Sequence, residues 1–112
     1  MLADDRIKRI FGDSPDIIDA FSKIDAIEFT YNDKAKEADP TGVKGVDDDL
    51  HYGVKAQDLE GNPITASSVV EDEQGNKIID VKELTATNSA VLSEICKRLL
   101  NIEKVLGIKV VD

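Results

Sequence analysis

Several residue types from which catalytic and metal centres are usually built are scarce in this sequence. It contains one histidine, one cysteine and no tryptophan, beside three phenylalanines and two tyrosines. The single cysteine, Cys96, excludes an intramolecular disulfide and fits a reducing compartment. One histidine and one cysteine cannot form a zinc site unless the fold adds carboxylates. The acidic run at residues 47–49 lacks the alternating ligands and central glycine of a calcium loop. We therefore expect no metal site and no cofactor.

Long apolar runs and an excess of positive charge are also missing. The 112 residues carry a formal net charge of −9, which repels the phosphates of nucleic acids and anionic lipids, so neither is expected as a partner. No run approaches the roughly 20 apolar residues that span a bilayer, and no signal peptide is recognisable. The length predicts one domain, residues 1–112, that buries only a modest core alone. Many such chains complete their apolar burial in an oligomer.

What the sequence does contain is a succession of short patterned segments. The first ten residues have no regular pattern and are expected to be extended or irregular. Ser14 and Pro15 match the cap and first position of a helix, which predicts a short amphipathic helix over residues 15–24. Alternation over residues 26–31 predicts a half-buried strand. Residues 32–50 are polar and contain helix breakers, which predicts a long loop, mobile or ordered only by a neighbouring subunit.

The segments after this loop are short and β-rich. Residues 51–59 predict a short strand that runs into a helical turn. Two further strands are expected around residues 64–70 and 77–79. Gly75 and Asn76 between them are typical of a hairpin turn, where they would supply positive φ.

The last third of the chain carries the strongest pattern. Asp80 matches a helix cap and Gly107 a helix stop, which predicts one long helix over residues 80–106. Within it apolar residues alternate at spacings of three and four, at Leu92, Ile95, Leu99, Ile102 and Leu106. Leucine at heptad position a with isoleucine at d disfavours a parallel dimer and favours three or four strands. The expected fold is α+β, with a short N-terminal helix, small antiparallel strands and a C-terminal helix in a trimeric coiled coil.

The same heptad register predicts two further contacts and leaves one alternative. Thr85 and Asn88 fall at a and d one turn earlier, where polar layers would fix the register at some cost in stability. Arg98 and Glu103 fall at g and the following e, the spacing of an ion pair between parallel neighbours. The alternative is that the apolar stripe packs on the body of its own monomer, and periodicity alone leaves both arrangements open.

Three short motifs follow one another along the chain. They are Ala-Asp-Asp-Arg-Ile-Lys at residues 3–8, Phe-Thr-Tyr at residues 29–31 and His-Tyr-Gly-Val-Lys-Ala-Gln-Asp at residues 51–58. With the long C-terminal helix, their order and spacing resemble the C-terminal intramolecular chaperone domain of phage tail spikes and fibres, the self-cleaving endosialidase-type family. That family's motif begins Ser-Asp-x-Arg-x-Lys, so residues 3–8 match it at every position except the first.

The resemblance implies a function tied to assembly. Such a domain lies at the C-terminus of a long β-structured fibre, trimerises, aligns the three chains so that the fibre can fold, and then cuts itself off. The implied partners are two further copies of the chain and the upstream fibre segment of the same polypeptide. The implied location is the host cytoplasm during virion assembly, and the domain would be removed from the mature virion.

The resemblance also implies a site. Ala3 stands at the position of the nucleophilic serine and Lys8 at that of the general base. The implied supporting residues are Asp4, Arg6, His51 and Gln57. A lysine can take a proton from a serine only if burial or a like charge lowers its pKa, and burial at a trimer interface would do this only after assembly. Ala3 has no hydroxyl, so the Ser–Lys reaction is not available to this sequence.

Two other functions fit the same residues. The chain could be a permanent trimeric fibre tip that stays attached and was never a peptidase. It also resembles, more weakly, the related domain of membrane-tethered eukaryotic transcription factors, which is disfavoured because no transmembrane segment follows Asp112. Ala3 is compatible with an engineered substitution and with a natural inactive member.

Overall fold

The computed structural model describes residues 2–12 and 16–108. Within them the elements run in the order α1 Ile17–Phe21, β1 Ala26–Phe29, α2 Asp33–Ala38, β2 His51–Val54, α3 Ala56–Glu60, β3 Val69–Glu71, β4 Lys77–Ile79 and α4 Val81–Leu106. Single 3-10 turns lie at Asp5–Ile7 and Ala66–Ser68. The predicted α+β class with a long C-terminal helix is confirmed.

The N-terminal part is less extended and less helical than expected. The 3-10 turn interrupts the first ten residues, which were expected to be irregular throughout. Helix α1 is five residues long instead of ten, and the predicted cap Ser14 and first residue Pro15 lie outside the described residues. The chain leaves the helix at Ser22, whose hydroxyl donates a hydrogen bond of 2.6 Å to the Asp19 carbonyl. Such back-bonding competes with further helical turns.

The predicted strand at residues 26–31 pairs with the predicted strand at residue 51. β1 and β2 form an antiparallel two-stranded sheet in which Phe29 faces His51 and Ala26 faces Val54. Ile27 and Phe29 are half-buried while Ala26 and Glu28 are exposed, which confirms the alternation. Gly53 lies close beneath Phe29, where a Cβ would be 3.3 Å from Cε1 of the ring and would require the ring to shift slightly.

The prediction that residues 32–50 form a loop throughout was wrong in one respect. The segment contains helix α2, whose N-terminal cap is Asn32, with its side-chain oxygen accepting a hydrogen bond of 3.1 Å from the Ala35 N–H. At the C-terminal cap of this helix, Asp39 is only 4% exposed and accepts hydrogen bonds from the backbone of the residues that follow. One buried carboxylate thus organises part of a polar segment that has no apolar core of its own.

The second sheet is the predicted hairpin, slightly displaced along the chain. β3 and β4 pair antiparallel, with Val69 facing Ile79, while the start of the predicted strand at residues 64–70 is a 3-10 turn. Gly75 has a φ of 80°, as the turn prediction required, but Asn76 does not have positive φ. The turn is held instead by Asp72, whose carboxylate accepts hydrogen bonds from the backbone N–H groups of Gln74 and Asn76.

Helix α4 has the predicted ends. The Asp80 side chain accepts a hydrogen bond from the Glu83 N–H at 3.2 Å. Gly107 ends the helix with a φ of 70°, and the N–H of Ile108 donates to the Glu103 carbonyl at 2.9 Å. None of the helices in the described part of the chain has both the length and the apolar character needed to cross a membrane.

The core is small. Among the described residues, the apolar side chains that are buried are Ile17 of α1, Leu59 of α3 and Val91 of α4. Polar contacts join the same elements, since the Asn62 amide donates to the Ala20 carbonyl at 2.7 Å and the Thr65 hydroxyl donates to the Leu59 carbonyl at 2.8 Å. The N-terminal half of α4 therefore lies on a thin body of short helices.

The chain exposes far more surface than its mass requires. A compact monomer of 12.2 kDa has an accessible surface of about 6,100 Å² and a radius of gyration of about 13 Å. The values here are 8984 Å² and 18.0 Å. Most of the large exposed apolar side chains lie in two places, residues 2–11 and the second half of α4.

Candidate functional site

The N-terminal motif forms a compact, solvent-exposed turn. Asp4 caps the 3-10 turn, its Oδ1 accepting a hydrogen bond of 2.9 Å from the Arg6 N–H. The Arg6 guanidinium folds back onto the same carboxylate, with Nη2 2.7 Å from Oδ2. The hydrogen bonds from the Arg6 side chain and backbone lower the pKa of Asp4, and Asp4 raises the pKa of Arg6. These two predicted site residues are thus paired with each other.

Ala3 and Lys8 flank this turn. The Lys8 N–H donates a hydrogen bond of 3.2 Å to the Asp5 carbonyl, which closes the turn just before the lysine side chain. All described residues from Leu2 to Gly12 are exposed, so neither the methyl group of Ala3 nor the amine of Lys8 is removed from water in the single chain.

His51 belongs to an aromatic cluster on the β1–β2 sheet. Its ring stacks on Phe29 with ring centroids 5.4 Å apart and meets the edge of Tyr31 at 5.3 Å. Its Nε2 shares a hydrogen bond of 2.6 Å with Oδ1 of Asp47, four residues earlier. That bond, with a second from the Asp49 N–H, lowers the pKa of Asp47. His51 therefore fixes the loop that precedes β2, a role that the sequence did not reveal.

Gln57 lies on a different surface. It is exposed on α3 and lines a shallow open groove between α1 and α3, together with Asp16, Asp19, Lys23, Asp58 and Asn62. Within the described residues, the recorded hydrogen bonds and ion pairs of residues 2–12 stay inside that segment. Within the described residues of the single chain, Ala3 and Lys8 therefore make no hydrogen bond or ion pair with His51 or Gln57.

The apolar stripe of α4 is the second candidate site. Its five members are between 43% and 67% exposed, namely Leu92, Ile95, Leu99, Ile102 and Leu106. The neighbouring residue Val91 is only 4% exposed and is the one that packs on the body. The alternative in which the stripe covers its own monomer is therefore not what the chain adopts.

The two residues of the predicted polar layers, Thr85 and Asn88, have different surroundings in the single chain. Thr85 is exposed, and its hydroxyl donates a hydrogen bond of 2.6 Å to the Val81 carbonyl of its own helix. Asn88 is half-buried against its own chain, and its Oδ1 is buried without a hydrogen-bond partner among the described residues. Whether these two residues form polar layers between chains stays a prediction.

Two acidic residues that hold the segment between β1 and β2 were missed. Oδ2 of Asp39 accepts hydrogen bonds from the N–H groups of Lys44 and Val46 at 3.0 and 3.1 Å. Asp47 holds His51, as described above. The signals that could have found them are the Asp-Pro-Thr-Gly turn sequence at residues 39–42 and the spacing of four between Asp47 and His51.

A further contact docks this segment on the second sheet. Lys44 Nζ lies 3.6 Å from Oδ2 of Asp72 in the β3–β4 turn. Burial opposes ionisation of Asp72, but hydrogen bonds from Asn76 and Gln74 and the charge of Lys44 outweigh it and lower its pKa. The segment thus contacts the body and does not simply project from it.

The described residues contain no group of three or more histidine, cysteine, aspartate or glutamate side chains placed to hold a metal ion. Comparison with known proteins adds no relative, since no family and no curated protein matches the sequence.

Proposed function

We propose that the chain is a trimerising intramolecular chaperone of a phage tail spike or fibre, with a self-cleaving site that is disabled by Ala3. The observation that carries the trimer is the exposed stripe of α4. Five leucine and isoleucine side chains at heptad spacing are left in water by their own subunit. Burying them is worth about 25 cal/mol for each Å² of apolar surface removed from water, which favours association.

The side chains in the stripe favour assemblies of more than two copies. Leucine at a and isoleucine at d pack better in three- or four-stranded bundles than in a parallel dimer. Each chain exposes roughly 2,900 Å² more than a compact monomer of its mass, and obligate interfaces bury about 2,000–5,000 Å² in total. That excess supports an obligate oligomer.

The chaperone and cleavage roles rest on the order of the three motifs. In the proposed mechanism, trimer formation aligns the upstream fibre segments of the three chains in the host cytoplasm, and cleavage follows. Lys8 is exposed in the single chain, so assembly would have to bury it before it could act as a base. This order makes release of the domain dependent on successful assembly.

The trimer is tested by light scattering across a wide range of protein concentration. A mass three times that of the chain at all but the lowest concentrations is expected. A monomer at high concentration would contradict the chaperone function together with the trimer.

The disabled site is tested by restoring the serine in a protein that includes the natural upstream segment. Ala3→Ser should restore cleavage beside position 3 without added protease or metal, detected by mass spectrometry of the fragments. Lys8→Ala in that background should stop cleavage and leave the trimer intact. Lys8→Arg should fail as well, because a guanidinium with a pKa above about 12 does not give up its proton near neutral pH.

The second candidate is the permanent trimeric fibre tip without peptidase activity. The residue that favours it is Ala3 itself, since a tip that stays attached needs no nucleophile. The same experiment separates the two functions. Cleavage restored by Ala3→Ser supports the chaperone. A trimer whose chains remain uncleaved after this change supports the permanent tip.

A further inference from the structure

The β1–β2 sheet is short and receives little support from the rest of the chain. The two strands make their main contacts with each other, and neither packs broadly on another helix or strand among the described residues. An isolated two-stranded ladder is at best marginally stable in water, and three or more strands or a covering helix are normally needed. This sheet therefore needs a further partner.

Both outer edges of the sheet are open. In an antiparallel pair, about half of the backbone N–H and C=O groups point away from the partner strand. No backbone hydrogen bond within the described residues reaches these groups in Ala26–Phe29 or His51–Val54. Natural edge strands are usually protected by lysine, other charges or proline. β2 carries none of these, and β1 carries only Glu28.

We propose that the outer edge of β2 in one copy pairs with the outer edge of β1 in the next copy, so that three copies close a six-stranded sheet. This inference rests on the proposed trimer and specifies a second interface within it. Repeating one edge-to-edge contact around a threefold axis closes a ring and leaves no free edge.

Threefold symmetry also fixes the direction of the new pairing. A rotation keeps the component of each strand along the rotation axis, so the three β1 strands all run one way and the three β2 strands the other. β1 and β2 are antiparallel within one copy. The pairing between copies is therefore antiparallel too, which is the more stable arrangement per residue.

We assign another copy of the chain to the open edge of β2 because each chain leaves a large surface exposed that association would cover. Besides residues 2–11, two further regions are left uncovered, the apolar stripe of α4 and this sheet, where Tyr52 is 73% exposed beside the open edge. The excess of roughly 2,900 Å² per chain is large enough for an obligate oligomer with more than one contact. The two interfaces would act together in one assembly.

The test is nuclear magnetic resonance on the intact 112-residue chain. A sample mixed from deuterated, nitrogen-15-labelled chains and unlabelled chains should give isotope-filtered cross-strand contacts between β2 amides of one copy and α-protons of β1 in another. Every amide in both strands should exchange slowly with solvent, because each would have a hydrogen-bond acceptor.

Light scattering on the same sample separates the possible failures. If the mass is trimeric but the strand amides alternate between slow and fast exchange, without contacts between copies, the edge pairing is refuted and the trimer stands. If the mass is monomeric, both are refuted. Intersubunit contacts in a trimer, with all strand amides protected, are the supporting result.

Discussion

The two parts of helix α4 on either side of Val91 have different surroundings. Val91 and Leu92 are adjacent in the chain and about 100° apart on the helix, yet they are 4% and 59% exposed. The helix packs on α1 and on the 3-10 turn before β3, where the Ser67 hydroxyl donates a hydrogen bond to the Glu83 carboxylate. The apolar residues of α4 that follow Val91 are left in solvent. Apolar periodicity predicts that one face of a helix is buried, but it does not indicate whether the same chain or another chain buries it.

The difference follows from the lengths of the elements. A helix of 26 residues is about 39 Å long, whereas α1 and α3 have five residues each and span about 8 Å. The body can therefore cover only the first turns of α4. We expect substitutions in the two halves to affect different properties, fold stability in the first and assembly in the second.

The largest effect is expected from Leu99→Asp in the second half. Each copy would place an unpaired carboxylate in the proposed seam, at a cost of several kcal/mol, and three copies together should raise the dissociation constant more than about a thousandfold. Sedimentation or light scattering measures this as loss of the trimer. Ser93→Asp, on the opposite side of the helix, is the matched control. If both variants have the mass of the unsubstituted protein, the apolar stripe is not part of the interface.

Val91→Ala should act on the first half. It removes two methyl groups from the small core and should lower the free energy of unfolding by roughly 2 kcal/mol, with the trimer retained. Urea denaturation at one fixed protein concentration measures the change. Val81→Ala, at a position that is 69% exposed, should stay within about 0.5 kcal/mol. Loss of the trimer in Val91→Ala would mean that the two halves are not separable.

Gly107→Ala should have a smaller effect, confined to the end of the second half. Gly107 has a φ of 70°, where an alanine costs about 1 kcal/mol. The last turn should fray without loss of the body, seen as faster amide exchange for residues 104–106 and unchanged exchange around Val91. A global loss of protection would show that the helix end stabilises the whole chain.

The smallest effect is expected outside α4, at Asp47, where a substitution should leave assembly unchanged. Asp47 has a lowered pKa because of its hydrogen bonds from His51 and the Asp49 N–H. Its stabilising contribution is therefore present above the ordinary aspartate pKa and lost as the pH falls through the lowered value. Asp47→Asn should shift the urea midpoint slightly at pH 7 and less at pH 3, with an unchanged trimer. A shift that does not depend on pH would show that the Asp47 carboxylate does not cause it.

Helix α4 could be predicted from the sequence because its signals are local. Asp80 caps the first turn and Gly107 supplies the left-handed stop, and both act on backbone groups within a few residues. The β3–β4 hairpin is readable for the same reason, since Gly75 lies in a short turn between apolar segments. Short-range chemistry is what a single sequence records most directly.

The missed features depend on longer separations or on single polar contacts. β1 and β2 are joined through residues 30–50, and no pattern in either strand identifies the other as its partner. Helix α2 is six residues long, too short for an apolar period to be recognised. The motif at residues 3–8 was visible as a sequence match, but in the single chain it is exposed and makes no polar contact with His51 or Gln57.

Asp39 has a consequence for how the chain can vary in length. One carboxylate oxygen receives the N–H groups of residues five and seven positions further on, so the backbone between them must have a fixed number of residues. Surface loops commonly accept insertions and deletions, because their closure costs rise slowly with length. Here a residue added between 39 and 46 would pull the donors away and leave Oδ2 of the buried Asp39 side chain without these partners. Length variation in related sequences should therefore fall before Asn32 or after Val46, and not inside this turn.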